Sequence, residues 1–399
     1  MDTQNTPIHL RLWHRGFWFL TLAGMFLSMA ATMLLPVTTL RSVEHGARTA
    51  ECGAWSTVDV VLMIGAFAVG VWFFGGICSF LTQRFRRNHV FQFSVFIVLL
   101  CLLTFYLFYT YLPHFIPTLL PLLSFSFGAF WGIAQIVLCS TLIIDVCESF
   151  QRTEANHAAA WFRRFSLSLG PVVGLLLYQF SGLIAVLIAS AVAACLSIVF
   201  VSFVDFPFKA PDDNLHLFSC DRFLLCNAHL MIITLLPIAL VFGMILSIAT
   251  TPIFFGTLML GFLLAIIAEK IAFANADLES ETIVGLICVA TALLLMLTRD
   301  RTLVEHIVPT LTGFGFGIMG SRFLLFFIKL SNHCQRGTSQ STFFLTWTTG
   351  LCLGVALGLL LSVLVTADCL LLMALVLTIL SLAFYHFITH PWYMRNKNR

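Results

Sequence analysis

Blocks of this chain recur about 185 residues apart, each inside an apolar stretch long enough to cross a membrane. Gly70 and Gly75 precede Gln83-Arg84-Phe85, and Gly256 and Gly261 precede Glu269-Lys270-Ile271. Gln151-Arg152 with Gly170 and Gly174 return as Gln335-Arg336 with Gly354 and Gly358, and Gly128 with Gly132 return as Gly313 with Gly317. Half a membrane protein, duplicated in parallel with its glycines and a basic turn in register, folds into two similar lobes.

The composition requires a membrane. Apolar residues make up 60% of the chain and charged residues 10%, too little polar surface to clothe a water-soluble domain of 399 residues. Net charge is only +3 and the basic residues are dispersed, so no nucleic-acid footprint is present. Most of the 12 cysteines lie in apolar runs, where Cys acts as a small hydrophobe, and Cys52 alone falls in an expected outer loop, so no structural disulfide is expected. There is no Cys-x-x-Cys or Cys/His spacing for a metal, no Ser/His/Asp set, no His-x-x-Glu-His and no phosphate loop. These absences argue against an enzyme and against a cofactor or bound metal, and no ATP-binding module points to a primary pump.

A spanning helix needs about 20 mostly apolar residues. Twelve such stretches are predicted, at 17–37, 58–82, 90–112, 116–145, 158–180, 182–204, 224–247, 252–270, 282–298, 304–329, 339–363 and 368–388. The first is too long for a secretory signal, and its core, residues 24–30, recurs at 243–249, so it counts as a helix of the duplicated body. The longest connections are 38–57 and 205–223. The second, with Pro207, Pro211, Asp212 and Asp213, divides residues 1–204 from 224–399 as a linker between two six-helix lobes. Outer segments hold only Arg41, Arg48, Arg299 and Arg301; Arg322 lies within a helix and the rest of the 21 Lys and Arg fall on the inner side. By the positive-inside rule both termini are cytoplasmic, in the cell's inner membrane.

Twelve helices in two parallel repeats, with a basic turn after the second helix of each, resemble the major facilitator superfamily. Its signature turn stands here as Ser79-Phe80-Leu81-Thr82-Gln83-Arg84-Phe85-Arg86-Arg87-Asn88, with the arginines kept and both glycines and the acid replaced. Gly170-Pro171-Val172-Val173-Gly174 is similar to an element of the family's antiporters, without its last glycine. The resemblance implies an all-helical, monomeric secondary transporter of small molecules working by alternating access. It also implies an inner gate in which Arg87 pairs with Asp145 or Glu148, with Gln83, Arg84 and Lys270 at the same level. Glu269, aligned with Gln83, is expected to face Arg163 or Arg164 at the start of the fifth span. The first, fourth, seventh and tenth spans are expected to line the path.

Ionisable residues inside spans are functional suspects. Arg322 is the leading candidate, for an anionic group or a coupling carboxylate, with snorkelling or a structural ion pair as the alternative. Asp59, opening the second span, is a coupling candidate or a helix cap. The uncharged candidates for substrate contact are Met25, Ser28, Trp131, Gln135, Met244, Ser247 and Met319; Met reshapes its contacts easily, and Trp131 and Gln135, four apart, share a helix face. The mostly uncharged set suits a small organic solute, with export by proton antiport as the leading reading. Uptake of a sugar or metabolite is a second reading, and a non-transporting sensor or scaffold is a third. Beyond the solute, the expected partners are protons and membrane lipids.

Overall fold

A computed structural model describes residues 11–46, 55–111, 116–207, 216–273, 275–298 and 302–398. Cys52, Asp212 and Asp213 lie outside the described residues. Among the described residues, 11 helices are long and apolar enough to cross a membrane. One of them, Arg152–Ser202, is 51 residues long and breaks at Gly182, whose φ of 75° and ψ of −174° lie outside the helical range. Glycine reaches that conformation without a side-chain clash, so the run is two spans joined at a corner. The twelve spans are α1 (Arg15–Arg41), α2 (Thr57–Arg84), α3 (Arg87–Tyr111), α4 (Leu119–Val146), α5 and α6 (Arg152–Ser202, before and after Gly182), α7 (Cys226–Ile248), α8 (Pro252–Ile271), α9 (Leu278–Thr298), α10 (Val304–Leu330), α11 (Arg336–Leu364) and α12 (Ala367–Asn396). This is a multi-pass, all-helical membrane protein. Helix continues past α1 to Gly46, well into the stretch expected as a loop from residue 38.

Lipid offers no hydrophobic drive between helices, so they associate by close packing at small residues. In the first half a Cβ on Gly128 would stand 2.3 Å from the Phe67 carbonyl oxygen, and one on Gly70 2.3 Å from that of Phe125. In the second half Gly313 meets the Leu258 oxygen at 2.3 Å and Gly261 that of Thr310 at 2.2 Å. The α2–α4 contact is therefore repeated as α8–α10. α5 meets α1 at Gly170 and Gly174, against Thr32 and Met33, as α11 meets α7 at Gly354 and Gly358, against Leu240, Gly243 and Ser247. Ser190 and Ser197 of α6 donate to the carbonyls of Ala30 and Ala23 in α1 at 2.6 and 3.0 Å.

These contacts correct the expected register. Gly70 and Gly261 occupy equivalent places, whereas Gly256 has nothing near it. The second and eighth spans are thus offset by about six residues more than the fourth and tenth, a shift that a loop-length change absorbs readily. Consequently Glu269 is not the structural duplicate of Gln83 but sits deeper in its helix. Gly24 and Gly243 also differ, the first facing Leu138 and Arg163 and the second α11, so the match of 24–30 to 243–249 is not a structural equivalence.

On the side where α1 begins and α12 ends, the terminal side, the two halves abut. Gly337 of α11 lies against the Ser140 backbone of α4, with 2.4 Å from its would-be Cβ to the carbonyl oxygen. Residues 219–225, at the end of the expected linker, fill the neighbouring seam. Ser219 N–H donates to the Gly76 carbonyl at 2.9 Å, Arg222 N–H to Thr338 Oγ1 at 2.8 Å and Leu225 N–H to Thr342 Oγ1 at 2.8 Å. The Phe223 ring occupies the space beside Gly75 and meets Trp72 edge-on at 5.6 Å.

Gly354→Ala places a methyl group 2.0 Å from the Leu240 carbonyl oxygen, and overpacking of this kind costs about 1–3 kcal/mol. The melting temperature of the purified protein is expected to fall in Gly354→Ala and to stay level or rise in Gly256→Ala, which meets nothing and gains helix propensity.

Candidate functional site

A cavity of about 170 Å³ lies in the half of the bundle away from the termini. Helices α1 to α4 supply most of its wall, including Leu34, Met63, Phe67, Phe105, Leu123 and Phe127, with Leu167 from α5 and Trp347, Thr348 and Leu351 from α11. Its polar edges are hydroxyls (Thr32, Thr38, Ser124, Thr348), and no charged residue lines it. Trp131 forms part of its wall, 5.5 Å ring to ring from Phe344 of the other half. Such a chamber takes an apolar body and leaves recognition of a polar group to its surroundings.

Of the residues expected at the substrate path, Trp131 and Thr32 of the first span line this cavity. Its Nε1 donates to the Leu27 carbonyl at 2.9 Å, and Gln135 Nε2 donates to Ser28 Oγ at 2.9 Å, so both also tie α4 to α1. Met25 is half-buried on α1 and does not reach the cavity. Met244 is buried and Ser247 donates to its carbonyl, with Gly358 of α11 pressed against both. Met319 is fully buried towards Gly285 of α9. None of these three lines the cavity: Ser247 and Met319 pack against glycines of their own half, and Met244 is buried.

Arg322 is corrected in the same way. Its Nε pairs with Glu281 Oε2 at the start of α9, an acid that is 1% exposed. The guanidinium is neutralised within its own half instead of facing the path. Asp59 is a cap: its Oδ2 accepts from Ser56 N–H at 2.9 Å and Oγ at 2.8 Å while Ser56 Oγ accepts from Asp59 N–H at 3.1 Å. This reciprocal arrangement satisfies helix-end donors and occupies the proposed coupling carboxylate.

At the terminal side Arg87 pairs with Asp145, and its Nε donates to the Thr82 carbonyl at 3.4 Å. Glu148 is half-buried, Arg84 and Lys270 are exposed, and Gln83 makes an amide contact to Ser79 Oγ within its own helix at 2.9 Å. Arg222 joins this region through Thr82 Oγ1 at 3.4 Å; burial pushes its guanidinium below the usual range, and the nearby Arg87 charge adds to that. Burial also holds the Cys147 thiol up at about 12, which makes it an inert packing group.

Glu269 faces α5 across the halves, as expected, but its direct pair with Arg163 or Arg164 is not formed. Its Oε2 lies 3.6 Å from His157 Nε2, and the same nitrogen bonds Ser321 Oγ of α10. Arg164 stacks on Trp161, 4.5 Å from the ring centroid, within electrostatic reach of Glu269 and beside Gly320. Arg163 instead reaches Gln340 Oε1 of α11 at 3.3 Å. Sequence reasoning missed His157, Glu281 and Gln340. Glu281 sits in a first helical turn, where an acid reads as a helix-dipole partner, and nothing local signals that it turns inward while Glu279 turns out.

Because Glu281 is buried, removing its cation leaves an uncompensated charge, which costs about 3–5 kcal/mol. Arg322→Gln is expected to lower the melting temperature strongly, and Arg322→Gln with Glu281→Gln to recover much of the loss. Equal stability of the single variant and the wild type would contradict the pair.

No protein-family model matches the chain, and no curated protein sequence is similar to it. Solved structures are. The human organic anion transporter MFSD10 superposes with a TM-score of 0.69 at 14% identity, over 92% of this chain and 98% of that one. The POT family transporter PepTSo gives 0.69 at 12% over 97% and 100%, and the nucleoside transporter NupG 0.64 at 10% over 93% and 98%. Matches that span both chains almost end to end show that this chain shares the fold of these transporters.

Proposed function

We propose that the chain is a secondary transporter that moves a small organic solute across a membrane by alternating access between two six-helix lobes, residues 1–204 and 224–399, joined by 205–223. The observation that carries this is the asymmetry of the bundle. The halves meet backbone to backbone on the terminal side, at Gly337 and Ser140, while the cavity of about 170 Å³ lies in the other half. That is a chamber closed at one end, the state from which a rocking mechanism opens the other. The known carriers of this shape transport organic anions and nucleosides by name, and solutes of that size are the class assigned here. With both termini cytoplasmic the chamber belongs to the outward-facing state.

Export against proton entry is the direction we assign. The Gly170–Gly174 element supports it, and so does a titratable carboxylate, Glu269, set between the halves against His157. An ionised Glu269 holds the terminal side shut through His157 and the nearby arginines; a proton on it weakens that contact and favours the other state. A change of about 1 kcal/mol moves a two-state population about fivefold.

Two measurements test this reading. Proteoliposomes holding the purified chain are expected to show saturable flux of labelled nucleosides or aromatic carboxylates, faster when the side receiving the solute is the more acidic. In Glu269→Gln, cysteines introduced on the terminal side of α4 and α10 are expected to label several-fold faster, and the pH gradient to lose its effect. Absence of flux under any gradient would leave the fold serving as a sensor or scaffold.

A further inference from the structure

Arg163 differs from Arg87, Arg164 and Arg322 in what meets its charge. Arg87 has Asp145 and Arg322 has Glu281, while Arg164 has Trp161 and the field of Glu269. Among the described residues no carboxylate pairs with Arg163; Arg164, also cationic, is its neighbour in the chain, and its Nη1 is buried without a hydrogen-bond partner. Arg163 is half-buried; a cation partly withdrawn from water without a countercharge is costly, and packing alone does not call for one. Its place is central. The Gly24 position of α1 lies 3.7 Å from Arg163 Cγ, and its guanidinium reaches α11 of the other half.

A second, independent observation comes from the neighbouring amides. Gln340 is 0% exposed, and with its Oε1 turned to Arg163 its Nε2 donor has no partner. Gln135 is also 0% exposed, and its Oε1 has none. Arg163 and Gln135 lie one helical turn below the cavity, Arg163 four residues before Leu167 and Gln135 four after Trp131, and Gln340 lies two turns before the lining residue Trp347 and one before Phe344, which packs on Trp131. A turn is about 5.4 Å of rise. Beyond Trp131 and Phe344 the charge-free chamber is therefore followed by a half-buried guanidinium whose Nη1 has no partner and by a buried amide donor without one.

We infer that Arg163 and Gln340 form the anion subsite of the transport path, taking the carboxylate of an amphipathic organic acid whose apolar body occupies the cavity. This deepens the transport reading and rests on it. Two free donors, Nη1 and Nε2, suit the two oxygens of a carboxylate. A cavity of about 150 Å³ accommodates benzene, so about 170 Å³ selects a single-ring body. Because the two donors belong to opposite halves, a bound carboxylate would bridge them.

The test uses the full chain and matched probes: benzoate, phenylacetate and 3-phenylpropionate against their neutral amides. In thermal-shift titrations the acids are expected to stabilise the wild type at concentrations at least tenfold below the amides. Arg163→Gln is expected to abolish that preference, and Gln340→Leu to weaken it. Without ligand, Arg163→Gln should melt no lower than the wild type, since it removes an unanswered charge; a clear drop would show the charge already compensated and overturn the inference. So would acids and amides of equal strength in the wild type, stabilisation by none of the probes, or a preference that survives Arg163→Gln. Flux separates the two readings. Neutral solutes carried with no acid preference would sink the subsite and leave transport standing, whereas acid binding with no flux of any solute would do the reverse.

Discussion

Contact between helix backbones at glycine sets the geometry on which the other features rest. Gly70 and Gly128 bring α2 and α4 together, Gly261 and Gly313 do the same for α8 and α10, and each contact leaves less room than a methyl group needs. In lipid such approach replaces the hydrophobic effect as the cohesive force. The same close approach also joins the halves on the terminal side, at Gly337 and Ser140.

Much of this was legible in the chain. Twelve spans and the break near residue 181 follow from hydropathy and spacing, and the break is explained by the φ of Gly182. What misled was register. A repeat aligned on glycine spacing alone tolerates a slip, because glycines four or five apart recur by composition, and only the contacts of Gly70 and Gly261 show which positions correspond. Glu269 was thereby given the wrong counterpart. It still faced the fifth span, because a helix carries its residues along one face over several turns, but it met His157 in place of an arginine.

Charge was the least legible property. Arg322 stood out as a lone cation in an apolar helix, yet its partner comes from the start of another helix, beyond the reach of any local pattern. Arg163 and Arg164 were both expected to face Glu269, and the two point to different neighbours: Arg164 to an indole and an acid's field, Arg163 to a buried amide. Adjacent residues on a helix lie about 100° apart, so two arginines in sequence need not share a fate. A basic pair in sequence is thus two separate electrostatic problems.

The segment 219–225 adds a kinetic aspect. It belongs to the connection between the halves and is docked on both, at Gly76 and Thr82 on one and at Thr338 and Thr342 on the other. A tethered ligand never dilutes: its local concentration is set by chain length and stays high whatever the state of the bundle. In the proposed transport cycle the segment would be at hand to rebind after each opening, and reclosure would need no search. Separation would require peeling Phe223 from Gly75 or releasing the hydroxyls of α11. The dwell time of the closed terminal side would then depend in part on how strongly this short stretch holds, which would make the connector a timer as well as a strap.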